Sequence, residues 1–353
     1  MKNLKKFGLI VFIVFLCFFI SIGGFLWWNY FPPLHLSFKK LPIHLTALTS
    51  PSSPKILKAS SYNIHYGIGL DWDRKDKIDK NSFLKRLDHI ANILKNIDAD
   101  IIFLQEVDFN SKRSWFIDQG IYLAKKANYP YIAKAPLFRQ RFHPNLHGPS
   151  GKINYGICIL SRFPLENNIV KIFPYPKEVP FYLRWLYCPH GMQQVNVKIG
   201  KKDLALINAH LEPWAQKTRE KESKKIAFLG KKSPLPFIIG GDFNTVPPET
   251  KNKKGLHLQD APWFVDKTQW DLENEKTIHN IRKIQGITED LLENIYKKNE
   301  KAFFTFPSNN PKEKLDYIFA GKNAKILYGY VYHIADIASD HLPIVAYIYY
   351  QQK

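Results

Sequence analysis

Cysteine is scarce in this chain: three residues, Cys17, Cys158 and Cys188, among 353. So few thiols exclude a disulfide scaffold, and none falls in a Cys/His cluster with zinc spacing. Acidic charge is also in deficit. Asp and Glu number 31 against 51 Lys and Arg, a formal charge of +20 at pH 7. A surface that basic attracts polyanions, nucleic acid or anionic lipid, unless it reflects a plain lysine bias. There is no Gly-rich phosphate loop of the Walker type, no Gly-x-Ser-x-Gly elbow and no strong internal repeat. With 45% hydrophobic residues the chain is neither disordered nor collagen-like, and its length suffices for a sizeable core.

One long hydrophobic run is present. Lys2, Lys5 and Lys6 precede an uncharged stretch from Phe7 to Trp28. As a helix rising about 1.5 Å per residue it covers about 30 Å, the hydrocarbon thickness of a bilayer. Trp27, Trp28, Tyr30 and Phe31 close it like an interfacial aromatic belt, and Pro32 and Pro33 stop the helix. Residues 1–31 are therefore expected to form a single-pass membrane anchor, with the N-terminus cytoplasmic and the remainder on the extracytoplasmic side. The competing reading is a cleaved signal peptide, with Ser21, Gly23 and Gly24 near the cut. Either one exports the rest. In an exported domain Cys158 and Cys188 are able to form one disulfide, while the apolar strand around Cys158 equally suits a buried thiol.

Residues 32–54, with Pro32, Pro33, Pro42, Pro51 and Pro54, read as a linker, and 55–353 as one domain. That domain repeats short apolar strands ending in polar residues: Ile56–Tyr62 before Asn63, Ile101–Leu104 before Gln105-Glu106, and Gly156–Leu160 before Ser161-Arg162. Leu204–Ile207 runs toward Asn208 and His210, and Phe237–Ile239 toward Asp242-Phe243-Asn244. Leu315–Phe319 contains Asp316, and Asp340-His341 precedes Ile344–Tyr349. Phe83, Leu87, Ile90, Leu94 and Ile97 recur at helical spacing, with Asn81 or Ser82 as cap, and Trp214–Leu229 reads as a second helix. The stretch Pro247–Asn299 reads as a surface excursion, with helical pattern returning at Thr288–Tyr296. Strand–helix alternation argues an α/β fold, and near-continuous apolar strands argue sheets covered on both faces.

The strand ends together supply Asn63, Glu106, His210, Asp242, Asn244, Asp316, Asp340 and His341. Carboxylates with amide oxygens suit a hard divalent cation, Mg²⁺ first and Mn²⁺ as its substitute. Histidines beside carboxylates suit proton transfer. Acid groups, a cation and histidines describe phosphate-ester hydrolysis better than redox or acyl chemistry.

Seven peptides make the resemblance specific. They are Ser61-Tyr62-Asn63, Leu104-Gln105-Glu106-Val107, Ile159-Leu160-Ser161-Arg162-Phe163-Pro164, Asn208-Ala209-His210-Leu211, Gly241-Asp242-Phe243-Asn244, Leu315-Asp316-Tyr317-Ile318 and Ser339-Asp340-His341-Leu342-Pro343. Their order resembles the endonuclease/exonuclease/phosphatase (DNase-I-like) superfamily. The resemblance implies a four-layer α/β sandwich: two packed mixed sheets flanked by helices. It implies that Glu106 is the principal Mg²⁺ ligand, with Asn63 and Asp340 completing or steadying the metal shell. Asp242 would orient or deprotonate the attacking water, and Asn244 hold a phosphate oxygen. His341, paired with Asp316, would contact the scissile phosphate, and His210 would act as a general acid or phosphate contact. One departure is Ile157 after Gly156, where many relatives have Asn.

Three functions follow as expectations. A nuclease would use the basic–aromatic loop Phe138–His147, with Arg139, Arg141, His143 and His147, against a phosphate backbone. A phospholipid phosphodiesterase, or a phosphomonoesterase on phosphoinositides, would use the membrane tether and the aromatics of Phe173–Trp185. A catalytically inactive, tethered binding module is the third. The protein is expected to be a monomer. Arg219, His65 and Trp214 line the cleft or merely lie on the surface.

Overall fold

The computed structural model describes residues 2–29, 39–45, 54–70, 79–144, 149–251, 253, 255–259, 261–290 and 293–351. Helix α1 (Lys2–Asn29) is one helix long and apolar enough to cross a membrane, a property signal sequences share. Most of its apolar side chains are exposed, so no protein core accounts for its composition. Its far end does touch the rest of the chain. Asn29 is fully buried, and its Oδ1 accepts the Phe142 N–H at 2.6 Å.

Fourteen strands follow among the described residues: β1 (Lys39–Leu41), β2 (Ile43–Leu45), β3 (Ile56–Asn63), β4 (Ile101–Asp108), β5 (Tyr131–His143), β6 (Gly151–Ser161) and β7 (Leu165–Ile172) in the first half. The second half carries β8 (Gly191–Ile199), β9 (Lys202–His210), β10 (Phe237–Asp242), β11 (Thr288–Glu289), β12 (Asp316–Gly321), β13 (Ala324–Val331) and β14 (Ile344–Tyr350). Between them lie α2 (Lys80–Ile97), α3 (Gln119–Lys126), α4 (Gln216–Lys232), α5 (Thr277–Arg282) and α6 (Glu293–Lys298). One sheet runs β13-β14-β3-β4-β6-β5-β2 and the other β1-β7-β8-β9-β10-β12-β11. Both are mixed: β3–β4 and β9–β10 are parallel and their other pairings antiparallel.

The alternation of side chains decides which residues reach the site. In β9, Leu204 and Leu206 join the core between the sheets, while Ala205, Ile207 and Ala209 face α4 and α5 through Ile226, Ile278 and Ile281. In β10, Ile238 points inward and Phe237 and Ile239 outward; in β12, Ile318 and Ala320 point inward and Tyr317 and Phe319 outward. Helices α2 and α3 cover the first sheet through Phe83, Leu87, Leu94 and Leu123. The result is helix, sheet, sheet, helix: the four-layer sandwich expected from the sequence. The sheets meet closely where Phe103 lies over Gly240; a Cβ on that glycine would sit 2.4 Å from the ring. Each fully buried side chain of this size contributes about 1.5–3 kcal/mol.

Several boundaries differ from the sequence reading. Asp79, not Asn81 or Ser82, caps α2, its carboxylate accepting both their N–H groups. The second helix begins at Gln216 rather than Trp214. The proline-rich stretch contributes β1 and β2, edge strands on β7 and β5, because three residues suffice to finish a sheet edge. Within Pro247–Asn299, Thr288–Glu289 is a strand on β12, and α6 starts only at Glu293. Cys158 and Cys188 are both free thiols, so the bridge does not form.

Candidate active site

Period-two alternation carries the inward-facing rows past the apolar core to the ends of the strands. Continuing β9 from Leu204 and Leu206 gives Asn208 and His210; β10 from Ile238 gives Asp242; β12 begins with Asp316. In register, Asp242 pairs with both His210 and Asp316, so three ionisable groups stand abreast on one sheet. The facing sheet brings Asn63 at the end of β3 and Glu106 near the end of β4. Strict alternation would turn Glu106 away from Gln105, which points inward and donates to Asn208 Oδ1 at 2.8 Å. A bulge between Leu104 and Val107, with Glu106 at φ 55°, swings its side chain back to the same side. That left-handed backbone costs about 1 kcal/mol or more, a strain typical of functional positions.

Asp242 Oδ2 is the hub. Asn63 Nδ2 donates to it at 3.0 Å and to Glu106 Oε1 at 3.1 Å. His210 Nε2 lies 3.7 Å from Asp242 Oδ2 and 3.8 Å from Glu106 Oε1. His341 Nε2 lies 3.7 Å from the same Asp242 oxygen, and its Nδ1 donates to Asp316 Oδ2 at 2.8 Å. Asn244, at φ 49°, donates its backbone N–H to Asp242 Oδ1 at 2.9 Å and its amide to Leu211 O. Asp340 stands to one side, with Oδ2 3.4 Å from His65 Nδ1. The His65 backbone N–H donates to Asn63 Oδ1, which fixes the Asn63 amide with its nitrogen toward the carboxylates, and the His65 ring Nδ1 meets Gly69 O at 2.7 Å. Ser339 Oγ donates to Asn63 O at 2.7 Å.

The two histidines are pushed in opposite directions. Burial would lower His341, but the charges of Asp316 and Asp242 and the Asp316 hydrogen bond outweigh it and hold it well above its ordinary value. His210 is held well below, by burial and then by the charges of His190 and His341. Burial pushes the Asp242 carboxyl up to about 7; Asp316 adds to this, while His341 and the hydrogen bonds from Asn63 and Asn244 oppose it.

Several neighbours escaped the sequence reading. The Tyr155 hydroxyl lies 3.4 Å from His210 Nδ1. The His190 ring stands edge-on to His210 at 4.7 Å, with its Nδ1 3.5 Å from Glu212. Arg113 stacks 3.5 Å over the Tyr66 ring and pairs with Asp108. Nothing in the spacing of these residues signals the site; the antiparallel pairing of Gly191 with His210 is what delivers His190. Arg219 proves fully buried on Glu275, neither cleft nor surface. Residues Phe138 to His143 are strand rather than loop, and His147 lies outside the described residues.

The donor set fits a hard divalent cation. Glu106 Oε2 and Asp316 Oδ1 are buried without a hydrogen-bond partner. Ligand-type atoms of Asp242, Asp316 and His341 lie within 4.8 Å of one another. The His341 imidazolium meets both carboxylates of this cluster, so the carboxylate oxygen left for a cation beside it is that of Glu106.

The chain matches the model of the Endonuclease/Exonuclease/phosphatase family over residues 60–341, a span that holds every residue of the hub. It belongs to this family. Family members are typically metal-dependent phosphoester hydrolases. Among solved structures it is similar to an endonuclease/exonuclease/phosphatase from Beutenbergia cavernae, with TM-score 0.55, 16% identity, and 84% of this chain and 72% of that one covered. It is similar to one from Bacteroides vulgatus, with TM-score 0.54, 15% identity and 84% and 100% coverage. It is similar also to D. rerio TDP2 complexed with a single-strand DNA product, with TM-score 0.53, 16% identity and 84% and 99% coverage. At these identities the likeness is one of fold. No curated protein matches the chain.

Proposed function

We propose that this protein hydrolyses a phosphodiester by in-line attack of water, with Mg²⁺ as its cation and Mn²⁺ able to replace it. The convergence of Asn63, His210 and His341 on Asp242 Oδ2, at 3.0, 3.7 and 3.7 Å, carries the reading. Glu106, with one oxygen unpartnered, would hold the cation; Asn63 steadies that carboxylate, Asp340 lies beside the His65 ring, and the His65 backbone N–H fixes Asn63. When bound, the cation supplies a Lewis acid that offsets charge building on the phosphate oxygens. Asp242 orients the water and takes its proton, a role suited to a carboxyl pushed up to about 7. His341, kept cationic by Asp316, donates to the scissile phosphate and gives its proton to the departing oxygen as the ester bond to phosphorus breaks. His210, kept neutral, donates from Nε2 as a phosphate contact, which its lowered pKa favours over a general-acid role. Asn244 adds a further donor beside Asp242. Each such donor is worth about 10²–10³-fold in rate.

The domain follows an uncleaved anchor (1–31) and a proline-rich segment (32–54) that also lends it β1 and β2, acts as a monomer, and works on the extracytoplasmic side, as Lys2, Lys5 and Lys6 before the helix support. The test is turnover of a chromogenic phosphodiester by the full chain in detergent. Turnover with Mg²⁺, lost with EDTA and lost in Glu106→Gln, is the expected result. A folded protein that turns over no diester or monoester is instead the inactive binding module.

A further inference from the structure

The basic–aromatic end of β5 keeps Arg141 and Phe142 exposed and meets the end of the apolar helix. Phe142 donates its N–H to the buried Asn29, and its ring meets Phe25 at 6.4 Å. Arg141 lies 5.5 Å over the Trp28 ring. Arg139 donates to Asn154. The same strand end carries a second element: Gln140 Nε2 donates to Trp185 O at 2.6 Å, and His143 lies 3.2 Å from Leu186 O. These contacts hold the chain just after the Phe181–Leu183 turn, on which Phe181 is 80% and Tyr182 56% exposed. Arg184 on this turn is exposed as well. From there the chain runs through Tyr187, edge-on to Phe264 beside the exposed Trp263, to His190 on His210. The helix end, the strand tip and the aromatic turn therefore form one continuous face.

We propose that this face lies in the interface of the bilayer that α1 crosses, and that the site hydrolyses phosphoesters of lipids in that leaflet. This rests on the phosphoesterase reading and deepens it. Exposed rings with flanking Arg suit the headgroup level, where apolar bodies meet hydrocarbon and cations meet lipid phosphate. The distances agree. Phe138 is in register with Tyr155, whose hydroxyl reaches His210, and Phe142 lies four positions further along. At about 3.3 Å per residue the strand position beside the hub is about 13 Å from the point where α1 docks, a separation of about two headgroup depths. A nucleic acid would need a row of cations along this strand, and of its two arginines Arg139 is engaged by Asn154 and Arg141 lies over Trp28 of the apolar helix.

The experiment uses the full chain in vesicles of phosphatidylcholine and phosphatidylglycerol with Mg²⁺. A fluorophore on Phe181→Cys, read against one on Lys231→Cys in α4 and against wild-type background, is challenged with brominated lipid. Headgroup release, single-stranded DNA cleavage and soluble chromogenic diester turnover are followed in parallel. The expected result is quenching at position 181 and not 231, headgroup release, and a tenfold or greater loss of that release in Phe181→Asp with soluble diester turnover unchanged. No quenching at 181 overturns the proposal whatever the activity. Quenching with DNA or soluble diester cleaved and lipid untouched overturns it too. Quenching at 181 with no phosphoester cleaved at all sinks the phosphoesterase reading and leaves the membrane face standing.

Discussion

Replacing Asp316 by Asn preserves shape and removes one charge at the innermost point of the site. Asp316 is fully buried and its Oδ2 holds the His341 Nδ1–H at 2.8 Å. Leaving His341 charged without this partner would cost about 3–5 kcal/mol, the usual consequence of breaking a buried pair. Burial favours the neutral ring, and with Asp316 gone only the charges of Asp242 and Asp340 oppose it, so His341 gives up its proton at a lower pH than in wild type. Where the variant is neutral and wild type charged the imidazolium donor is lost, and the rate falls by about 10²–10⁴-fold, the range for removing a positioned acid. Lowering the pH restores the proton, so the deficit shrinks toward acid. Stability follows the same sign. His341 is raised in the fold, so its contribution is complete below about 6.5 and is lost as pH rises through the folded value. The variant is therefore most destabilised relative to wild type in acid and least in alkali. The assay is a pH–rate profile from 5 to 9 on a chromogenic diester, with a thermal melt at each pH. A folded variant whose profile overlays that of wild type, or whose loss is equal at every pH, refutes the charge argument.

Gly240→Ala drives a methyl to 2.4 Å from Phe103, and overpacking of this kind costs about 1–3 kcal/mol; denaturant unfolding reads it, and Phe103→Leu in the same chain recovers part of the loss. Asp79→Ala removes the cap of α2 and lowers the melting temperature with activity unchanged, as melting and turnover together will show. Saturating Mg²⁺ raises the melting temperature of wild type, since a ligand at 100 times its Kd adds about 2.7 kcal/mol, and Glu106→Gln abolishes the shift. Intact mass of the mature protein includes Phe7–Trp28; a mass beginning after Gly24 would identify a cleaved signal peptide instead.

The rows that build the site were legible because alternation links core and chemistry in one strand. Leu204, Leu206, Asn208 and His210 share a face, and so do Ile238 and Asp242, so polar residues at strand ends inherit the inward direction of the apolar ones before them. What the sequence hides is whatever breaks that period or joins distant strands. The bulge that turns Glu106 inward has no residue signature, since Gln105-Glu106 reads as plain alternation. His190 meets His210 only through the β8–β9 pairing, and Tyr155 only through the facing sheet. Arg219 looked exposed because its helix is highly charged; burial on Glu275, from a stretch without regular pattern, could not be read from either segment alone.

The site also shows why its ionisable groups belong at the strand ends and not deeper. Between the sheets, the fully buried polar pair Gln105 and Asn208 is neutral, and it spends its amides on each other and on Leu104 O and Cys158 O. One step outward the same inward rows carry Asp242, His210 and Glu106, where Glu106 keeps some exposure and an oxygen without a partner. A charge in the neutral layer would be stranded in low dielectric, whereas at the mouth a cation and a phosphate complete the set. The neutral amide layer thus closes the hydrophobic core, and the charged layer above it remains electrostatically incomplete in the protein alone, the condition for binding a cation together with an anionic ester.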